Sequence, residues 1–472
     1  MDTNTSRPKF GTDGWRGIIG EDFNSLNCYL VANSLFKLSP NLKKVIIGYD
    51  TRKLSKEISI KIGNFYADKG IKVILSNCPI PTPAVSFSVR NQSADFGIII
   101  TASHNSKIWN GIKIKNKYGQ SISEDYASKL TEIISKEIID LKEFKKFDFF
   151  DSKQIQVTDL ISEYINSIRK IINLDKIKNS KLSLIVDCMN GTSKSILEKI
   201  IGKSEIKINE INNNNDSSFP GVKQPEPIEE NLSNLKLKIS ELKADIGFAF
   251  DADSDRVGVI DNKSNYIEAP LTFCIISDHV LGNKKIIKNI STTVSMTSMI
   301  DVIARKYNIK CFRTKVGFKY VAPNMEENDS ILGGEESGGY SYSKHLLERD
   351  GIVSSLLVIE KLISSQIKSS DLVPDLIKKY GRFFYKRSDI VLDNDLLKKY
   401  SDFIINYDSK KIIGKKIKSI DRKDGIKINF EDNEWILIRL SGTEPLARIY
   451  AESPNKESVN NLILGFIDSF KN

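Results

Sequence analysis

Short apolar runs that end in polar turns, each followed by a stretch of helical periodicity, recur along this 472-residue chain. That alternation is the pattern of strand–helix–strand units, which build largely parallel sheets covered by helices. Val45–Asp50 (VIIGYD) reads as a buried strand and Ser55–Lys69 as a helix stopped by Gly70. A strand over Ile71–Leu75, a bend at Pro79–Pro83, a short helix and a strand over Phe96–Ile100 follow. The pattern returns at Leu182–Asp187, with a helix after Gly191 and a strand near Ile206–Ile211. It returns again from about Thr272 through Ile286–Ile290, Met296–Tyr307 and Lys310–Thr314. After about Lys378 it gives way to hairpins and a last helix near Lys456–Phe470. The chain therefore reads as α/β: three similar α/β domains with mixed sheets over 1–152, 153–262 and 263–378, and a smaller α+β domain over 379–472. Lys142–Asp151, which has no strong period, and the Asp261–Asn265 turn read as seams. Asn212–Pro227, polar and proline-bearing, reads as a long loop inside the second unit.

Several classes of function drop out on composition. The net charge is +10, mild for this length, and no basic run interleaved with aromatics supports nucleic-acid binding. No apolar stretch approaches the roughly 18 residues of a membrane-spanning helix, so no membrane partner is expected. The N-terminal MDTNTSRPKFGTDGWRG has no apolar signal-peptide core. The five cysteines are scattered without a CxxC, which argues against a disulfide framework or zinc site and fits a reducing cytoplasm. With three histidines, His104, His279 and His345, a His-rich metal centre is not expected.

Five segments carry candidate chemistry. Thr101-Ala-Ser103-His104-Asn105 follows an apolar strand directly, where open α/β sheets place ligand sites. Lys113 follows shortly and can move protons if its pKa is lowered. Phe248–Arg256 (FAFDADSDR) runs an apolar strand into Asp251, Asp253 and Asp255. Carboxylates at that density repel one another unless neutralised, and hard oxygen ligands suit Mg²⁺ or Ca²⁺. A Ca²⁺-binding EF-hand loop requires Gly and Glu where Arg256 and Asn262 stand, which excludes it. An Asp-nucleophile phosphatase at Asp251 remains a competitor. Gly333–Gly339 (GGEESGG) places a carboxylate and a hydroxyl, which can bond sugar hydroxyls, among glycines that allow close approach. Arg439-Leu-Ser441-Gly442-Thr443-Glu-Pro-Leu-Ala-Arg448 is a donor-rich turn bracketed by two of only 14 arginines, a pattern suited to phosphate. Phe10–Gly17 (FGTDGWRG) is neither a P-loop nor GxGxxG.

Taken in order, these segments resemble the α-D-phosphohexomutase family, the phosphoglucomutase/phosphomannomutase group, over nearly the whole chain. The resemblance implies four domains around a central cleft, with a phosphorylated serine at Ser103 and Mg²⁺ held by Ser103, Asp251, Asp253 and Asp255. It implies Lys113 as a general acid/base, with Arg16, His104 and Arg256 beside the transferring group. Glu335 and Ser337 would recognise the sugar, Thr314, Gly317 and Lys319 would line a further substrate-facing loop, and Arg439, Ser441, Gly442, Thr443 and Arg448 would hold the phosphate that stays put. The implied reaction interconverts glucose 1-phosphate and glucose 6-phosphate through a hexose 1,6-bisphosphate, with phosphomannomutase as the alternative, in a cytoplasmic monomer or weak homodimer. Three departures stand out: Ser106 replaces the usual Pro after Asn105, Gly339 stands where some relatives have His, and Glu336 stands where phosphoglucosamine mutases tend to have Gln. His345 is the candidate to replace the histidine missing at 339, and GEESGGY is closer to phosphoglucomutases than to phosphoglucosamine mutases.

Overall fold

The computed structural model describes residues 6–11, 13–149, 155–440 and 446–468, and the alternation resolves into four sheets. The first is mixed, in spatial order Trp15–Ile18, Trp109–Lys115, Phe96–Ile100, Lys44–Tyr49, Lys72–Ser76 and Gln156–Thr158. Its Lys44–Tyr49, Lys72–Ser76 and Phe96–Ile100 strands are parallel, and Ile46, Ile47, Val73 and Ile99 are almost fully buried. That two-faced burial explains their unbroken apolar runs. The helix Ser55–Asp68 crosses between the first two of them, with Gly70 just beyond its end at φ +76°. The second sheet runs Tyr266–Ile267, Val257–Asp261, Ile246–Phe250, Ser183–Asp187 and Lys207–Ile211. The third runs Cys311–Thr314, Asn289–Thr293, Ser330–Gly334 and Tyr340–Tyr342. The fourth is wholly antiparallel, from the Phe384–Val391 edge through Leu446–Ser453, Trp435–Leu440, Ile426–Phe430 and Lys415–Asp421 to Lys411–Ile412.

The expected seams shift. Gln156–Thr158 pairs with Ile74–Ser76, so the first sheet extends past residue 152. Tyr266–Ile267 pairs with Val259–Ile260, so the second extends past 262. The described part of the Lys142–Asp151 seam is helical, over Leu141–Phe149. Two aromatics spaced three apart hold it, Phe144 and Phe147 packing on Tyr29 with ring centroids 5.8 and 5.5 Å away. Its charges are pinned as well, Glu143 by Lys69 at 2.9 Å and Asp148 by Lys61 at 2.7 Å.

One buried apolar cluster runs through residues of the first three domains, from Ile46 to Tyr380. The fourth domain has a cluster of its own and meets the third through Val294, Trp435, Leu437 and Tyr450.

Candidate active site

Two loops at strand ends face each other across a domain boundary. The serine loop leaves Phe96–Ile100, and the acidic loop leaves Ile246–Phe250. Ser103 is 1% exposed and its Oγ donates to Asp251 Oδ2 at 2.8 Å. Its backbone is left-handed, φ +53°, a conformation that costs a non-glycine residue about 1–3 kcal/mol unless its surroundings hold it. The acidic loop turns just as sharply through Ser254, φ +58°, which brings all three carboxylates to one side. Three domains tie down its backbone: Thr82 N–H donates to the Asp253 carbonyl at 2.9 Å, Thr192 N–H to Ala252 at 3.0 Å, and Gly351 N–H to Ser254 at 3.1 Å.

Asp251, Asp253 and Asp255 each offer an oxygen within 4.8 Å of the other two, and all three are fully buried. Among the described residues, Asp253 Oδ1 and Asp255 Oδ1 have no hydrogen-bond partner. Burial, and then the neighbouring Asp255 and Asp253 charges, push the Asp251 carboxyl well above the usual carboxylate range. Buried, under-partnered and mutually repelling oxygens fit a hard divalent cation.

Lys113 supplies positive charge at this point. Its Nζ lies 2.7 Å from Asp253 Oδ2, 2.8 Å from Asp255 Oδ2 and 2.9 Å from Asp13 Oδ2. Burial works against the ammonium, but those three carboxylates outweigh it and raise its pKa. The sequence reading required a lowered pKa; the structure holds Lys113 as a firm cation. Arg16 Nη1 donates to Asn105 Oδ1 at 2.5 Å. Arg256 donates its N–H to Asp251 Oδ1 at 3.0 Å and sets Nη1 3.1 Å from Glu226 Oε1. His104 Nε2 is 4.0 Å from the same Glu226 oxygen. Burial, then the Arg256 and Arg16 charges, hold the His104 imidazole well below its ordinary pKa, so it is neutral.

Glu335 joins from the third domain. Its Oε1 accepts from Gly317 N–H at 3.0 Å and its Oε2 lies 3.6 Å from Arg349 Nη1. Burial raises its pKa to about 7 against the pull of Arg349. Ser337 is half-buried in the adjoining turn. Thr314 Oγ1 donates to the Lys315 carbonyl at 2.8 Å, and Lys319 reaches toward Glu124 of the first domain at 3.4 Å. The arginine pair lies in the fourth domain: Arg439 Nε donates to Asp424 Oδ2 at 2.7 Å, and Arg448 Nε is 3.9 Å from Asp389. Asp424 also accepts from Val316 N–H at 2.8 Å, next to Gly317. Ser441, Gly442 and Thr443 lie outside the described residues.

His345 does not replace a histidine at 339. It is buried, Nε2 2.8 Å from Ser167 Oγ and Nδ1 3.2 Å from Asp350, with its ring stacked on Phe87. Position 339 itself has no room, since a Cβ there would lie 2.4 Å from Arg349 Cδ. Arg349 is among the residues the sequence reading missed. It contacts Asp13 at 2.5 Å and Asp255 at 2.9 Å, while Lys115 pairs with Glu348 at 2.7 Å. Asp50, Arg52, Thr82 and Glu226 also went unnoticed. Arginine scarcity was the available signal, since Arg52 and Arg349 are two of 14.

This geometry gathers a nucleophilic hydroxyl, a cation-ready acid triad and a ring of buried positive charge from three domains. Four models of phosphoglucomutase/phosphomannomutase domains match the chain in order: alpha/beta/alpha domain I over 7–139, domain II over 162–264, domain III over 271–380, and the C-terminal domain over 395–468. A phosphoglucomutase/phosphomannomutase of Thermococcus kodakarensis is 31% identical over 468 residues, 96% of each chain. A phosphoglucosamine mutase of Methanocaldococcus jannaschii is 30% identical over 462 residues, 96% of each. The solved structure of a phosphoglucomutase/phosphomannomutase family protein from Burkholderia thailandensis superposes with a TM-score of 0.81 at 21% identity, covering 99% of this chain and 98% of that one. The protein is a phosphohexomutase, an isomerase working as an intramolecular phosphotransferase. It belongs to the phosphoglucomutase/phosphomannomutase family.

Proposed function

We propose that the protein interconverts glucose 1-phosphate and glucose 6-phosphate through a phosphorylated Ser103 and a hexose 1,6-bisphosphate. The observation that carries this reading is the 2.8 Å bond from Ser103 Oγ to Asp251, made between two domains inside a buried acidic pocket. A hydroxyl there has no need of exposure to bulk water, which suits a phosphoserine that must transfer its group to sugar and not to water. In the transfer, the sugar hydroxyl bonds to phosphorus and the bond from phosphorus to Ser103 Oγ breaks. The proton lost by the sugar hydroxyl ends on the departing serine oxygen, and Lys113, held as a cation by Asp13, Asp253 and Asp255, supplies positive charge beside that exchange. Arg16, Arg256 and neutral His104 flank the group in flight. Mg²⁺ held by Asp251, Asp253, Asp255 and an oxygen on Ser103 would supply charge neutralisation at the phosphoryl group.

Glu335 and Ser337 bind the sugar, with Thr314, Gly317 and Lys319 on the next loop. Arg439, Ser441, Gly442, Thr443 and Arg448 hold the phosphate that is not transferred. Glu336 favours glucose over glucosamine as the sugar. Phosphoglucosamine is the second reading, favoured by the Methanocaldococcus relative, and mannose 1-phosphate is the other hexose to compare. No described helix is long and apolar enough to cross a membrane.

The test is kcat/KM on glucose, mannose and glucosamine 1-phosphates side by side, with a bisphosphate activator, in the unaltered protein and in Ser103→Ala. Glucose 1-phosphate is expected to rank first, and Ser103→Ala to lose about 10⁴-fold or more with its fold intact. Substantial turnover by Ser103→Ala ends the phosphoserine reading.

A further inference from the structure

Arg52 lies at the heart of the serine loop yet has no donor left for substrate. It is 4% exposed, and each of its five side-chain N–H groups has a partner. Nε donates to Asp50 Oδ2 at 3.1 Å. Nη1 donates to the carbonyls of Ser106 and Trp109 at 2.9 and 3.1 Å. Nη2 donates to the carbonyls of Ser103 and Asn105 at 2.5 and 2.6 Å. Four backbone carbonyls of one loop thus converge on a single guanidinium.

The other side of Ser103 is held through the same acid. Ser103 N–H donates to Thr101 Oγ1 at 2.8 Å, and that hydroxyl donates to Asp50 Oδ2 at 2.7 Å. Asp50 Oδ1 accepts from Ser55 Oγ at 2.7 Å and from Arg52 N–H at 2.9 Å. The left-handed residue is therefore gripped at its amide through Thr101 and at its carbonyl through Arg52. The free face of the guanidinium is covered by Phe219 of the second domain, 4.8 Å from the ring centroid. Phe219 belongs to the long loop that also supplies Glu226 to Arg256. Ser106, where relatives have a ring-stiffened proline, is one of the carbonyls Arg52 binds.

We infer that Arg52 is a positioning residue for phosphoryl transfer: it fixes the serine-loop carbonyls so that Ser103 keeps its left-handed backbone and aims Oγ at the acid triad, with Thr101 and Asp50 as the opposite half of the grip. This rests on the phosphoserine reading above. A lysine at 52 offers three donors in no fixed plane and cannot reproduce the fork. A shift of the reacting oxygen by about 1 Å is enough to cost about 10²-fold in rate.

The experiment measures kcat, KM for glucose 1-phosphate and thermal midpoint in Arg52→Lys, Thr101→Val, Thr101→Ser and Ser103→Ala. The expected result is a kcat about 10²-fold lower in Arg52→Lys and Thr101→Val, with KM within about twofold, and recovery of most of the rate in Thr101→Ser. A loss that were only structural would lower the thermal midpoint without this split between kcat and KM. Arg52→Lys with kcat within about twofold of the unaltered enzyme overturns the inference, and so does a raised KM at constant kcat, which would make Arg52 a substrate-binding group. Where Arg52→Lys does not fold, Thr101→Val decides by the same criteria. An inactive Ser103→Ala beside a fully active Arg52→Lys sinks this inference alone, whereas an active Ser103→Ala sinks the phosphoserine reading beneath it.

Discussion

Around the acid triad the chain buries its ion pairs; in the fourth domain it leaves those at Asp389, beside the candidate phosphate clamp, half in the open. The side chains of Lys113, Asp253 and Asp255 are at most 2% exposed, and Arg349 is 5%. Arg387 and Asp389 are 38% and 36% exposed, and Arg448 is 28%. The backbone ties differ in the same way. Thr82, Thr192 and Gly351, from three domains, all grip the acidic loop. The described hydrogen bonds that leave the fourth domain run to the third, including Lys427 Nζ to Val294 O at 2.9 Å and Trp435 Nε1 to Ser298 Oγ at 2.9 Å. The contrast separates two jobs. Phosphoryl transfer tolerates little misplacement, so its groups are fixed before substrate arrives. The candidate clamp, which would have to accept two different ends of one molecule, sits on a domain whose described hydrogen bonds reach a single neighbour.

The sharpest way to break this contrast is Lys113→Met. Removing one partner of a buried ion network leaves Asp253 without its lysine and Asp13 and Asp255 with Arg349 as their closest cation, and costs about 3–5 kcal/mol. Turnover and thermal midpoint are expected to fall together. A midpoint unchanged in differential scanning calorimetry would put the first three domains on the same loose footing as the fourth. Arg448→Ala is the counterpart. It removes about 1.5–3 kcal/mol of charged contact to phosphate, so KM should rise about ten- to a hundredfold, with stability within about 0.5 kcal/mol. Steady-state kinetics showing an unchanged KM would take Arg448 out of the clamp.

The pH response sharpens the comparison at Glu335, whose pKa of about 7 stands above its ordinary 4.5. Between those values the folded protein keeps a proton that the unfolded chain has released. Its contribution to stability is full below 4.5 and is lost as pH rises toward about 7. Sugar hydroxyls prefer the ionised acceptor, so kcat/KM should rise as pH passes about 7, and Glu335→Gln should flatten that limb. A limb that persists in Glu335→Gln assigns it to another group. The smallest effect is at the seam: Trp435→Phe removes the N–H shared by Ser298 and Glu452 and should cost about 1 kcal/mol, read as a few-fold change in KM at unchanged kcat. A kcat that falls instead would mean the seam governs chemistry.

The sheets were legible because a strand buried on both faces must be written as a continuous apolar run, as in VIIGYD and FGIII. The boundaries were less so. The strand Gln156–Thr158 is short and exposed at two of its three positions, so it carries no such pattern. The helix over Leu141–Phe149 rests on two aromatics and a few ion pairs, too brief for periodicity to mark. Ser103 and the acid triad were legible because each motif is contiguous and sits at a strand end. Asp13 lay inside a flagged segment without being singled out. Arg52, Glu226 and Arg349 each arrive alone from a different part of the chain, and only the fold reveals that they touch the serine loop, Arg256 and Asp255 respectively. Three carboxylates inverted the expectation for Lys113, and they come from positions 13, 253 and 255, which only the fold brings together.

Lys113 has a further consequence for handling the protein. Its ammonium already sits against two of the three acids that would otherwise repel one another. The polypeptide thus carries a built-in counterion, unlike a zinc finger, whose architecture collapses when its ion is stripped. Exhaustive dialysis against EDTA should therefore yield a silent but intact enzyme, storable in that condition and revived by adding magnesium salts alone.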